Sequence, residues 1–133
     1  MYRTQYHIVW VTRYRRKILN KGVREYLEVK IKETRKYYPD WEYIAIGIQE
    51  DHIHLHMVIP PKYAVSMVVE TLKKNTSREL SRKFHFLSKV YWDKEGIWSR
   101  GFFVTSVGLT EDLVRKYVQM QEKEDTGQAK LEV

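Results

Sequence analysis

Gln5–Thr12 (Gln-Tyr-His-Ile-Val-Trp-Val-Thr) is a run of β-branched and aromatic residues that predicts a strand. From Lys21 to Tyr38 the period changes: Val23, Tyr26, Leu27, Ile31 and Thr34 fall on one stripe, predicting a helix that Pro39-Asp40 ends. Trp41–Gln49 and His52–Ile59 read as strands joined by the tight turn Glu50-Asp51, a hairpin closed by Pro60-Pro61. Ala64–Phe86 is a second amphipathic helix, with Val65, Val68, Val69, Leu72 and Leu80 inward. Ser88–Ser99 has no period and offers Tyr91, Trp92 and Trp98 as anchors. Phe102–Val107 predicts a fourth strand. Gly108 follows, and Thr110 caps a last helix reaching about Glu124, with Glu111 and Asp112 where the dipole favours negative charge. The order β-α-β-β-α-β plus a terminal helix predicts an α+β, ferredoxin-like split-βαβ fold, an antiparallel sheet with two helices on one face. No repeat or linker divides the chain, so residues 1–133 read as one domain, with a core at about 4–124 and a polar tail at 125–133.

Composition adds a partner. The formal net charge is +7, and ten tyrosines and four tryptophans, many beside Lys or Arg, accompany it. Basic excess favours a polyanion through counterion release, and aromatic side chains stack on unpaired bases, so single-stranded nucleic acid is the expected partner. A solubilising surface is the plainer explanation of the charge. The absence of cysteine excludes disulfides and thiolate metal sites and agrees with a reducing cytoplasm. Apolar runs fall short of the ~20 residues a membrane span needs, and no secretory leader is evident, so no membrane partner is expected. No Gly-x-x-x-x-Gly-Lys loop occurs, so no nucleotide cofactor is expected.

Two short motifs carry chemistry. In Asp51-His52-Ile53-His54-Leu55-His56 the three histidines share one side of a strand, neighbours roughly 6.5–7 Å apart at Cα. Two imidazoles at that spacing can converge on one divalent metal, although a polar strand face is the simpler reading. In Tyr117-Val118-Gln119-Met120-Gln121 the tyrosine and the second glutamine lie four apart on one helix face, while Leu113, Val114 and Val118 pack against the body. Tyr117 can serve as a nucleophile there and Gln121 as an amide ligand, or they are a core-edge aromatic and a solvated amide.

Asp-His-hydrophobic-His-Leu on a strand, followed by Tyr-hydrophobic-x-x-Gln on a late helix, resembles the single-tyrosine HUH transposases. These are the TnpA-type, IS200-like enzymes that move insertion sequences as single-stranded DNA. The likeness also takes in Val9-Trp10-Val11-Thr12-Arg13-Tyr14-Arg15-Arg16, Leu72-Lys73 with Thr76-Ser77-Arg78, and Trp98-Ser99-Arg100-Gly101-Phe102-Phe103-Val104, and so runs from about Thr4 to Glu122. Two positions depart from the family pattern: His56 stands where an apolar residue is usual, and Met120 where Asn is common. His56 opens a second metal frame, His54-Leu55-His56; Asp51 and Leu55 favour the first.

The resemblance implies a nuclease and strand-transferase in which Tyr117 forms a 5′-phosphotyrosine. His52, His54 and Gln121 would hold Mg²⁺ or Mn²⁺. It implies a homodimer with composite sites, Gly108 as a hinge for the tyrosine helix, and substrates with hairpin ends. Arg13, Arg15, Arg16 and Lys17 in one loop, and Lys74, Arg78 and Arg82 along one helix ridge, are the candidate DNA contacts. A non-catalytic single-stranded nucleic-acid-binding domain of the same fold, which would not need the histidines or Tyr117, is the rival.

Overall fold

A computed structural model describes residues 4–91, 96–106 and 110–126. Four strands, β1 (Gln5–Val11), β2 (Glu42–Ile48), β3 (His52–Val58) and β4 (Phe103–Thr105), form one antiparallel sheet in the order β2-β3-β1-β4. Between and after them lie α1 (Lys21–Glu33), α2 (Val65–Lys83), α3 (Phe86–Val90) and α4 (Glu111–Thr126). The α+β split-βαβ architecture expected from the sequence is the one observed.

Alternation decides which face is covered. Ile8 and Trp10 of β1 and Ile53, Leu55 and Met57 of β3 are fully buried in one cluster with Val23, Leu27 and Ile31 of α1 and Val68, Val69, Leu72 and Leu80 of α2. Each such side chain contributes about 1.5–3 kcal/mol on burial, so this helix-covered face holds the sheet's register. A one-residue slip would bring the histidines of β3 into the core.

Helix ends differ from the pattern-based expectation. The first helix stops at Glu33 and tightens into a 3-10 turn over Thr34–Lys36. Thr34 Oγ1 explains the change, because it donates to Ile31 O at 2.6 Å and also meets Tyr43 Oη at 2.7 Å. The second helix ends at Lys83 rather than Phe86, since Phe84 takes an extended backbone and sets its ring edge-on to Tyr26. Residues 86–90, expected to be split between helix and irregular chain, instead make α3. The fourth strand is Phe103–Thr105 among the described residues; Val107, Trp92 and the Gly108 hinge lie outside them. Thr110 caps α4 as expected, its Oγ1 accepting from the Leu113 amide at 3.2 Å. The helix runs on to Thr126, and Leu113, expected to pack, is 40% exposed. No helix among the described residues is long and apolar enough to cross a membrane.

Candidate active site

The uncovered face of β3 carries His52, His54 and His56. Strand pairing adds a fourth imidazole that the sequence did not single out, His7 of β1, opposite His56. Its ring stacks on His56 at 4.1 Å between centroids, and its Nδ1 lies 3.4 Å from His54 Nε2. His56 Nε2 meets Gln5 Oε1 at 3.0 Å. Burial first, then the neighbouring imidazoles, lower the pKa of His54 below its ordinary 6.5; burial and His56 do the same for His7. Both rings are therefore neutral at pH 7, the form that ligates metal.

His52 is oriented from behind. Its Nδ1 lies 2.8 Å from Oδ1 of Asp51, a residue only 8% exposed in the β2–β3 turn. The other carboxylate oxygen of Asp51 accepts from Arg15 Nε at 2.9 Å. The hydrogen bond from His52 chiefly, and that from Arg15, hold the Asp51 carboxyl below the usual carboxylate range despite its burial. A carboxylate bonded to one ring nitrogen fixes the tautomer that leaves the other nitrogen's lone pair outward. The turn supplying Arg15 is strained: Tyr14 and Arg15 have φ of 58° and 54°, left-handed values that cost a side-chain-bearing residue about 1–3 kcal/mol each.

Helix α4 lies against the same side of β1 and β4. The Tyr117 ring packs on Phe103, with centroids 5.9 Å apart. Phe103 pairs with Val9, and Val9 pairs with His54. Phe103, on which Tyr117 packs, is thus level with His54 and about two strand spacings, ~10 Å, to the side. One turn on, the Gln121 amide nitrogen donates to Ser99 Oγ at 3.2 Å and, in a short contact, to the Arg100 carbonyl. Ser99 donates its amide to Val11 O, and Val11 pairs with His52. Gln121 is thereby level with His52, so α4 runs alongside the histidine row in the order of the 52/54 frame.

The helix is anchored there. Arg15 Nη1 pairs with Glu122 at 3.1 Å, and Asp125 accepts from the Tyr14 amide at 2.8 Å and from Ser99 Oγ at 2.7 Å. Asp125 belongs to this anchorage rather than to a polar tail. Sequence reasoning missed Arg15, Ser99, Glu122 and Asp125 as a set, because nothing in their spacing reveals that they meet. Tyr117 Oη is buried with no hydrogen-bond partner among the described residues. Burial above all, with the Glu124 and Asp125 carboxylates adding to it, raises its pKa above the ordinary phenol value. A buried hydroxyl without a partner costs about 1–3 kcal/mol, which a group arriving from outside could recover.

The donor set fits a divalent ion in part. His54 presents a neutral imidazole, and His52 an imidazole backed by the Asp51 carboxylate. Gln121 is turned to Ser99 and Arg100 rather than to them. Among the described residues no three His, Asp or Glu side chains converge as a ready-made metal cage. Completing a site needs α4 to leave its anchors or another group to enter.

The basic candidates separate. Arg15 is committed to Asp51 and Glu122, whereas Arg16 and Lys17 are exposed, Lys17 standing 3.9 Å from Glu50. Lys74 and Arg78 border a cavity together with Arg13; Arg82, on the same ridge, does not border it and is 72% exposed, 3.8 Å from Glu79.

The chain is similar to known proteins in sequence and in fold. Curated relatives include the transposase for insertion sequence element IS200 of Salmonella typhimurium, 32% identical over 124 residues that cover 91% of this chain and 78% of the relative. The ISDra2 transposase TnpA of Deinococcus radiodurans is 24% identical over 122 residues, covering 91% and 86%. Among solved structures, a Deinococcus radiodurans R1 protein superposes with a TM-score of 0.79 at 22% identity, covering 91% of this chain and 92% of that one. A REP-associated tyrosine transposase bound to a REP hairpin superposes with a TM-score of 0.59 at 17% identity, covering 96% and 69%. The family profile described as "Transposase IS200 like" matches residues 1–121, and the chain belongs to that family.

Proposed function

We propose that this chain is a metal-dependent DNA transposase that cleaves and rejoins single-stranded DNA through a 5′-phosphotyrosine on Tyr117. The observation that carries the reading is the register linking His54, Val9, Phe103 and Tyr117, with Gln121 level with His52 one turn later. This register supports a reading in which the phenol and the two imidazoles act on one scissile phosphate.

In the reaction, Tyr117 Oη forms a bond to phosphorus and the bond to the 3′-oxygen breaks. The phenolic proton leaves to solvent, and the departing oxygen takes one up as a 3′-hydroxyl. The energy of the broken ester stays in the phosphotyrosine, so rejoining needs no nucleotide cofactor. His52 and His54 would hold the divalent ion, Mg²⁺ or Mn²⁺, with Gln121 joining them once released from Ser99 and Arg100. Bound there, the ion supplies neutralisation of charge on the phosphate as it is attacked. Asp51 keeps His52 aimed, and the neutral state of His54 keeps its lone pair available. The raised pKa of Tyr117 in its docked position disfavours attack from there, which supports a displaced α4 in the active form.

A homodimer in which α4 completes a partner's histidine pair satisfies that requirement, with Gly108 as the hinge. The relative bound to a REP hairpin supports hairpin DNA as the recognised form. Exposed Arg16, Lys17 and Arg82 then grip the duplex stem. The whole chain acts as one catalytic unit in the cytoplasm. The test is a denaturing gel of protein incubated with end-labelled single-stranded hairpin DNA and Mn²⁺. Wild type should give a protein–DNA adduct that chelator abolishes and that His54→Ala does not form. An adduct persisting in excess chelator would remove the metal, and no adduct under any condition would leave a non-catalytic binding domain.

A further inference from the structure

A cavity of about 820 Å³ opens between α2, α3 and residues 96–101. It shares no residue with the histidine face and does not include Tyr117. Its volume falls in the ~300–1,000 Å³ range of pockets that receive a small-molecule-sized group. Among the described residues its lining holds Arg13, Lys73, Lys74, Arg78 and Arg100 with one carboxylate, Glu70.

Lys73 is the unusual member. It is 8% exposed, and its ammonium donates to the Ser99 carbonyl at 2.8 Å and the Gly101 carbonyl at 3.1 Å. An ammonium has three protons, and these bonds use two. Among the described residues no carboxylate stands at ion-pair distance from it. Burial accordingly lowers its pKa, with Arg13 adding to the shift and the Glu70 and Asp125 carboxylates opposing it. A buried charge without a counter-ion is costly, and an incoming anion removes that cost. The walls are fixed in advance. Trp98 donates its indole N–H to Thr76 Oγ1 at 3.0 Å and sets its ring edge-on to Trp10. Tyr91 donates its hydroxyl to the Arg13 carbonyl at 2.9 Å. A basic rim, a buried cation and a rigid aromatic side are the features that receive a phosphate together with its base.

We propose that this cavity is a second DNA site, seating one unpaired nucleotide of the substrate strand with its phosphate against Lys73 and Arg100, outside the histidine face. The inference rests on the reading of DNA as substrate. Ser99 and Arg100 also supply the oxygens that hold Gln121, so the seat and the α4 anchor share one segment.

The test is fluorescence anisotropy in a Tyr117→Phe background, which keeps binding separate from covalent capture. The probes are a labelled single strand of randomised sequence and a labelled blunt duplex. Ser81→Trp, which fills the cavity from its α2 wall, and Lys73→Met should each weaken single-strand binding by roughly tenfold or more, the scale of a lost charge-assisted contact, and leave duplex binding unchanged. Lys73→Met also removes two supports of the 99–101 segment, so melting curves accompany both variants and Ser81→Trp decides if Lys73→Met fails to fold. Folded Ser81→Trp binding the single strand as tightly as its parent would overturn the proposal. So would an equal loss on strand and duplex, which would make the cavity part of a general basic surface. These results are independent of adduct formation by the Tyr117-bearing protein, so a missing adduct rejects the catalytic reading while this comparison still reports on the cavity.

Discussion

Replacing Asp51 by Asn probes the support of the metal ligand without touching the ligand. Asp51 accepts two charge-assisted bonds, from His52 at 2.8 Å and from Arg15 at 2.9 Å. The first lies between side chains 18% and 11% exposed, and such a bond is worth about 1.5–3 kcal/mol. The second involves an arginine side chain 36% exposed, so screening reduces it to about 0.2–1 kcal/mol. Asparagine keeps a weaker neutral acceptor, so roughly half of the total is lost, about 1–2 kcal/mol of stability. The larger effect falls on the ion. Removing the carboxylate behind a metal-binding histidine costs about 10–100-fold in affinity or activity. Mn²⁺ binding followed by electron paramagnetic resonance, with His52→Ala as the zero point, reads that loss directly. A chemical melt in parallel reads stability. Folded Asp51→Asn that binds Mn²⁺ as tightly as wild type would refute the assignment of His52 as an oriented ligand.

Two further outcomes follow from the same geometry. Folded His7 and His54 have pKa values lowered from 6.5, so the unfolded chain binds protons that the folded one refuses. Their contribution is whole above 6.5 and is lost as pH falls through the lowered values, so the melting temperature should fall on acidification below 6.5; His7→Gln should flatten that dependence, and an unchanged slope would reject the coupling. If α4 serves the partner's histidines, mixing and refolding Tyr117→Phe with His54→Ala should restore adduct formation absent from either alone, whereas continued silence would place phenol and imidazoles of one site in the same subunit.

The strands and the helix faces were legible because each depends on local periodicity. Alternation in His52–Val58 fixes which side chains enter the core, and the stripe through Val23, Leu27 and Ile31 fixes which helix side covers them. Helix ends were less legible. Thr34 and Phe84 end their helices through partners, Tyr43 and Tyr26, that are distant in the chain or on another element. The site divides in the same way. His52, His54, Tyr117 and Gln121 sit in short motifs whose spacing left their roles open, and the family resemblance singled them out. His7 belongs beside them only because β1 pairs with β3, and no spacing within one strand carries that register. Asp51 was read as a motif position, yet its role as a buried acceptor for His52 and Arg15 needs the left-handed turn at Tyr14 and Arg15. The anchors of α4 draw on three separate segments, and only the folded chain brings them together.

The central claim is that the Tyr117 phenol becomes esterified to DNA. Mass spectrometry of trypsin-digested adduct tests it most directly, because cleavage after Lys116 and Lys123 isolates Tyr117–Lys123 as one peptide. The account predicts a nucleotide phosphate on that peptide and on no other. The modification on a peptide carrying a different tyrosine, such as Tyr14 or Tyr91, with Tyr117–Lys123 unmodified, would contradict it.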